Sequence, residues 1–373
     1  MYDNHRKIRR NYKYQARSGI LLYPLLFEPI LKEKIWGGQK LGKLFDRQLP
    51  GDKIGESWDV ACHQNGTSIV SNGEYKGQTL DELIKKFGRC LLGNSLDDKD
   101  IEKFPLLIKM LDASDVLSVQ VHPNDEYAAL HENGELGKTE MWYIVDAEPG
   151  AHLYYGIKPG TTPEDFRKAI VEGNVEPYLC SVKVEKGDVL FIPAGMVHAI
   201  GPGIVICEIQ QNSDTTYRVF DWNRLDDSGN PRELHIEKAL DVIDFDGRYS
   251  NEKVKGLAVE EEGGKRTYLI ACPYFAVEKL ELKDSIQEIA DGEKFFILSV
   301  LDGEGSIEYN GGTQSFKRGD SIMIPASLGY YSIQGQSTML KSYIPNRQKD
   351  IIERLEEKGF SREDMEAIAG LFD

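Results

Sequence analysis

Two histidines, a carboxylate and an amide, spread over three segments, are the residues of this chain best suited to chemistry. Gln120 and His122 stand in Gln120-Val121-His122-Pro123, and Glu140 follows eighteen residues after His122. His198 closes the run Gly187-Asp188-Val189-Leu190-Phe191-Ile192-Pro193-Ala194-Gly195-Met196-Val197-His198. Together they suit one divalent metal ion with an open position. Histidine nitrogens with carboxylate and amide oxygens favour Zn²⁺, at bond lengths of roughly 2.0–2.2 Å. Fe²⁺ and Mn²⁺ stay open, because two histidines and one carboxylate also serve non-haem iron oxygenases. Gln120 as a neutral fourth ligand tilts the choice towards a Lewis acid. The competing reading is a hydrogen-bonded His/Glu network without metal. His5, His63, His131, His152 and His235 lack such context and are assigned to surface or core.

Strand parity says how these groups could meet. In Ser118-Val119-Gln120-Val121-His122 successive side chains alternate between faces. Ser118, Gln120 and His122 therefore share one face, and the two valines belong to a hydrophobic layer on the other. The same parity puts Lys138, Glu140 and Trp142 on one face. In the Gly187–His198 run a short strand, a Pro/Gly turn and a histidine just beyond it aim one imidazole into a barrel mouth. That run has a second copy 132 residues later: Gly187 to Ala194 aligns with Gly319-Asp320-Ser321-Ile322-Met323-Ile324-Pro325-Ala326. An internal repeat of this kind predicts two barrels of one type in tandem. Tyr330 falls where the first copy has His198 and nothing like Gln-Val-His-Pro precedes it, so the second barrel is expected to be metal-free and structural.

Most of the chain reads as short strands punctuated by Gly, Pro, Asn and Asp, a mainly β pattern that favours a sandwich or jelly roll. Helices are expected over 79–87, from Pro163 to about Val171, and from Pro231 to about Ile243. A C-terminal helical segment is expected from Asp350, carrying Ile351, Ile352, Leu355, Met365, Ile368 and Leu371 inward. The expected organisation is a basic extension over 1–20, a metal-binding barrel over 21–265 with a small helical insertion, a second barrel over 266–345 and helical residues 346–373.

Composition narrows the partners. The net charge of −16 argues against nucleic acid, whose binders carry a basic face. The longest apolar stretch near the N-terminus, 20–27, is broken by Pro24 and too short to span a membrane. Five cysteines without paired spacing fit a reducing, cytoplasmic setting and no disulfide scaffold. Oligomeric state, monomer or dimer, is not written in the sequence.

The chain resembles the type I mannose-6-phosphate isomerases (phosphomannose isomerases) of the cupin superfamily, particularly their shorter bacterial forms. The matching segments are Trp36-Gly37-Gly38, Pro105-Leu106-Leu107-Ile108-Lys109, Leu117 to Pro123, Lys138-Thr139-Glu140, the Gly187–His198 run and Ser213-Asp214-Thr215-Thr216-Tyr217-Arg218. They cover roughly residues 22–345. The resemblance implies cupin-type jelly-roll barrels and one Zn²⁺ on Gln120, His122, Glu140 and His198. It further implies Arg218 as the active-site arginine, Lys109 and Ser118 at positions that hold a substrate phosphate, and Lys138 lining the site. Glu208 matches a proton-transferring carboxylate. The implied reaction interconverts mannose 6-phosphate and fructose 6-phosphate through an enediolate.

Each role has a rival. Arg218 as a strand-edge arginine would pair with Asp214 or Asp221, and Lys109 could snorkel from a strand end. Glu208 lies in an apolar strand, so it must face a lumen or an ion partner. Trp36 and Trp142 read as packing residues rather than sugar platforms. Thr215, and a short helical stretch over 161–180, depart from the longer members. Rival functions are an isomerase of another sugar phosphate and a non-catalytic sugar-sensing cupin.

Overall fold

Alternation along the strands decides the architecture. The computed structural model describes residues 22–225, 229–248 and 252–373 and is mainly β. The basic extension expected over 1–20 lies outside the described residues. Eleven strands build the unit that holds the predicted ligands: β1 (Ile30–Gly38), β2 (Ile54–Val60), β3 (Leu106–Ala113), β4 (Val119–Val121), β5 (Glu140–Ala147), β6 (His152–Ile157), β7 (Leu179–Lys183), β8 (Val189–Ile192), β9 (His198–Ile200), β10 (Ile204–Gln211) and β11 (Tyr217–Phe220). They form a six-stranded sheet ordered β8-β5-β10-β3-β2-β1 and a five-stranded sheet ordered β7-β6-β9-β4-β11.

The two sheets pack face to face through one apolar cluster. Trp142 and Ile144 of β5 and Ile206 of β10 meet Leu153 and Tyr155 of β6 and Ile200 of β9. The outer face of the five-stranded sheet carries Val119, Val121 and Val219 and is covered by helices Pro163–Glu172 and Ile236–Val242 through Phe166, Ala169, Ile170 and Ala239. The valines thus face the helices, as parity requires, and Gln120 and His122 turn the other way.

The first of these helices begins and ends on sequence signals. Thr162 accepts the Asp165 N–H as its cap, Pro163 occupies the first turn, and Gly173 closes it in a left-handed conformation. The helix expected from Pro231 starts only at Ile236. Residues 231–235 are drawn instead into contacts with β11 and its following turn, described below.

The other unit contains the second repeat copy. Its ten-stranded sheet runs Leu257–Glu261, Gly264–Ala271, Ala276–Leu282, Gly329–Tyr343, Phe296–Tyr309, Ser321–Ile324, Leu25–Glu28 and Ile69–Val70, with two further strands pairing off this path. C-terminal Ile351, Leu355 and Met365 pack into its core from a π-helical turn and two short helices, and Ile368 and Leu371 do so from the non-helical residues that follow. The domain boundaries differ from those expected. This unit takes in 22–30 and 59–106 besides 255–373, because Leu25 and Leu26 pair with Met323 and Ile322. A strand early in sequence completes a sheet made late, which a linear division of the chain does not anticipate.

Candidate metal centre

The three segments meet between the two sheets of the first unit. His198 opens β9 and pairs in register with Gln120 of β4, and Glu140 opens β5 opposite Ile192 and Gln210. The Pro193-Ala194-Gly195 turn is tied directly to the other histidine strand, because the Gly195 N–H donates to the His122 carbonyl at 2.9 Å. Gly195 holds φ +90°, a conformation that a side chain disfavours, so glycine is required where the chain swings His198 inward.

Imidazole and carboxylate atoms of His122, Glu140 and His198 lie within 4.8 Å of one another. His122 Nε2 is 3.3 Å from Glu140 Oε1, and His198 Nε2 is 3.9 Å from Oε2. Gln120 Nε2 stands 3.2 Å from His198 Nε2, and rotating its amide would offer the oxygen instead. Each histidine spends Nδ1 on a backbone carbonyl, His122 on Thr215 at 2.9 Å and His198 on Met196 at 2.8 Å. Those bonds place the proton on Nδ1 and leave the Nε2 lone pairs pointing at the carboxylate, the orientation a metal requires. Thr215 therefore contributes through its backbone.

Electrostatics agree with the donor set. Burial, with Lys138 beside it, pushes the His122 imidazole down to about 3, and burial likewise lowers His198, so both are neutral near pH 7. Burial alone would raise Glu140, but the Lys138 ammonium beside it opposes this and the carboxyl is held well below the usual carboxylate range. Both Glu140 oxygens are buried without a well-formed hydrogen bond. The nearest positive charge is Lys138 Nζ, 2.6 Å from Oε1 and 3.3 Å from His122 Nε2. An anionic carboxylate with orphaned oxygens, two neutral imidazoles and a cation already drawn among them fit a divalent metal ion.

The other predicted residues fall into two places. Glu208, fully enclosed on β10, receives the Trp142 indole N–H at 3.0 Å on Oε2, while Oε1 faces Lys109 Nζ at 3.1 Å. Burial, reinforced by Glu140, raises its carboxyl against the pull of Lys109 and Lys138. Lys109 is only 3% exposed, and its ammonium also donates to Gln210 Oε1 at 2.7 Å. Its contacts thus point inward, to Glu208 and Gln210. Trp142 packs edge-on to His198, with ring centroids 5.3 Å apart, and so touches both His198 and Glu208. Ser118 is buried just ahead of β4.

Arg218 pairs in register with Gln120 on the edge strand β11. Its Nη1 donates to the Glu233 carbonyl at 2.9 Å, and its buried Nε has no hydrogen-bond partner. Asp221, one of the partners weighed for it, binds Arg224 and Arg232 instead. Sequence reasoning missed Gln210 and His235. Gln210 braces Lys109 and the carbonyls of Gln211 and Ser213, and His235 accepts the Arg218 N–H. Nothing in their spacing marks them, although Gln210 shares strand parity with Glu208.

A jelly-roll unit presenting His, Glu and His from opposed sheets, a group able to hold a metal ion, has the build of a cupin. Comparison with known proteins narrows this. Residues 25–144 match the model described as phosphomannose isomerase type I, catalytic domain, and residues 264–344 that for the mannose-6-phosphate isomerase cupin domain. The chain is 44% identical over 321 residues to mannose-6-phosphate isomerase ManA of Bacillus subtilis, covering 86% of this chain and 99% of that one. It is 40% identical to mannose-6-phosphate isomerase of Streptococcus mutans over 86% of this chain and 98% of the other. The crystal structure of the mannose 6-phosphate isomerase from Bacillus subtilis superposes with a TM-score of 0.80 at 37% identity, covering 86% of this chain and 99% of that one. The chain belongs to the type I phosphomannose isomerase family.

Proposed function

We propose that this chain is a zinc-dependent aldose–ketose isomerase that interconverts mannose 6-phosphate and fructose 6-phosphate. The observation that carries the reading is the buried His122–Glu140–His198 group with a second, proton-accepting carboxylate, Glu208, close enough to feel the Glu140 charge and joined to His198 through Trp142. Gln120, His122, Glu140 and His198 would hold the ion. Bound there, Zn²⁺ supplies Lewis-acid polarisation of the sugar carbonyl. Glu208 then shuttles the proton between C1 and C2 through an enediolate, using Oε1. Trp142 and Lys109 orient that carboxylate, and its raised affinity for protons suits a base that must also return one.

Arg218 directs positive charge at the enediolate or the phosphate through the donor left free on its guanidinium. Ser118 and Lys109 complete the phosphate-side assignment, and the inward contacts of Lys109 give it the added task of steadying Glu208. Lys138 balances the charge of Glu140. Among the described residues no helix is long and apolar enough to cross a membrane. Cys62, Cys90, Cys180, Cys207 and Cys272 are free thiols, which supports a cytoplasmic setting.

The test is to strip the purified protein with a chelator, restore Zn²⁺, and follow fructose 6-phosphate formed from mannose 6-phosphate. Activity should vanish and return. Glu208→Gln should retain one metal per chain and lose turnover by about 10²–10⁴-fold. Full activity without metal, or in Glu208→Gln, overturns the mechanism; turnover only of a different sugar phosphate overturns the substrate.

A further inference from the structure

Beyond β11 the chain leaves its sheet through two consecutive residues at positive φ, Trp222 at 58° and Asn223 at 55°. A bulky side chain resists this conformation, so tertiary contacts must hold the turn. The Trp222 indole N–H donates to the Leu117 carbonyl at 2.7 Å, and its ring packs 5.4 Å from both Tyr154 and Phe220. The turn thereby starts in a fixed direction.

Asp221, only 5% exposed, sits at the base of this excursion and binds both of its limbs. From the outgoing limb Arg224 Nη2 reaches Oδ1 at 2.6 Å, and Arg224 Nη1 is itself anchored on the Val116 carbonyl at 2.5 Å. From the returning limb Arg232 donates Nε to Oδ2 at 2.7 Å and Nη2 to Oδ1, a planar two-point grip. Leu225 and Pro231 form an isolated bridge between the limbs.

The returning limb runs straight to Arg218 and meets it three ways. The Glu233 carbonyl accepts from Nη1, the His235 N–H donates to the Arg218 carbonyl at 2.8 Å, and His235 Nδ1 accepts the Arg218 N–H at 3.1 Å. As β11 is the edge of its sheet, these contacts replace the strand neighbour that Arg218 lacks on that side.

We propose that Asp221 is a positioning residue for Arg218: by joining Arg224 to Arg232 it fixes the limb whose Glu233 carbonyl and His235 aim the guanidinium. This rests on the reading of Arg218 as the substrate-facing arginine. Asp221 acts through Arg218 and makes no contact with sugar. A displacement of about 1 Å at such a group can cost on the order of 10²-fold in rate.

The experiment uses the zinc-loaded full chain and a double-mutant cycle. Asp221→Asn should lower kcat/KM by about 10-fold or more, with KM and kcat moving in the same proportion as in Arg218→Ala. Metal content should stay at that of the parent. Arg232→Gln, which frees the returning limb alone, should match it and serves if Asp221→Asn folds poorly. In the Arg218→Ala background, Asp221→Asn should add less than about twofold, because its effect has already been removed. Undiminished kcat/KM in both Asp221→Asn and Arg232→Gln, or full additivity with Arg218→Ala, overturns the role of Asp221. Undiminished kcat/KM in Arg218→Ala alone instead condemns the assignment of Arg218.

Discussion

The two copies of the Gly-Asp repeat are built alike and filled differently. In each, the aspartate closes its own turn: Asp188 Oδ2 accepts the Glu185 N–H and Asp320 Oδ2 the Lys317 N–H, both at 2.8 Å. Each then leads a four-residue strand, Val189–Ile192 against β5 and Ser321–Ile324 against Phe296–Tyr309. The ladders make Phe296 the counterpart of Glu140, since Ile192 pairs with Glu140 and Ile324 with Phe296. Lys341, opposite Leu298, likewise stands for Glu208, opposite Trp142. Tyr330, half exposed at 51%, replaces the fully buried His198.

Charge is present in both interiors, with opposite bookkeeping. In the second unit Arg266 binds Glu261, Glu278 and Glu288, Lys341 Nζ lies 2.5 Å from Glu288, and the Tyr343 hydroxyl donates to Glu278 at 2.6 Å. There the buried carboxylates are neutralised by the chain's own cations. In the first unit Lys138 pairs with Glu140 and Lys109 with Glu208, but two neutral imidazoles also stand beside Glu140 with donor nitrogens turned inward. The same framework therefore supports either a self-satisfied ion network or a donor set able to take an external cation.

Exchanging ligands for alanine should separate the two interiors most sharply. Glu140→Ala or His198→Ala should lose bound metal and at least about 10²–10³-fold in turnover, whereas Tyr330→Ala should retain both. Elemental analysis beside the isomerase assay decides it; equal losses would erase the functional distinction. Next in size is Arg266→Met, which leaves Glu278 buried with only the Tyr343 hydroxyl and Glu288 with only Lys341. It should cost about 3–5 kcal/mol in denaturant unfolding while turnover per folded molecule stays near the parent's.

Acid should distinguish the units by titration. His122 is held neutral, with its folded value near 3 against an ordinary 6.5, so the unfolded chain binds more protons between those limits. Its contribution to stability is complete above about pH 6.5 and shrinks as pH falls towards 3. Glu288, buried but held ionised by Lys341 and Arg266 at about 2 against 4.5, loses its contribution only below about pH 4.5. Trp36, Trp58, Trp142 and Trp222 all belong to the first unit. Tryptophan fluorescence of the metal-free chain should therefore respond to acid at a higher pH than amide hydrogen exchange in the strands of 257–343, and coincident or reversed transitions would remove the contrast. Smallest of all, Asp320→Ala should cost about 1 kcal/mol in thermal or denaturant unfolding, and Asp188→Ala about the same or slightly more because it also loses the Lys253 ion pair.

Much of the site could be read from residue order because strand parity is a local rule. Ser118, Gln120 and His122 on one face and Val119 and Val121 on the other follow from a period of two, and the structure obeys it. Strand β1 is not legible in the sequence because Lys32 and Lys34 interrupt its apolar pattern. Lys32 nevertheless lies 3.4 Å over the Trp58 ring, a charged side chain used for packing. The helix expected from Pro231 is shortened by contacts made across the sequence: Arg232 to Asp221, and Glu233 and His235 to Arg218.

Sequence alone determined the candidate ligand types, the face Gln120 and His122 occupy on their strand, the repeated turn and strand, and the apolar spacing of the C-terminal cap. These depend on neighbours a few residues apart, where backbone geometry leaves little choice. Tertiary structure decided that Lys109 braces Glu208, that Leu25–Glu28 joins a sheet formed by the last third of the chain, and that Asp221 serves two arginines other than Arg218. Such pairings are settled by which buried charges and open strand edges find one another when the layers close.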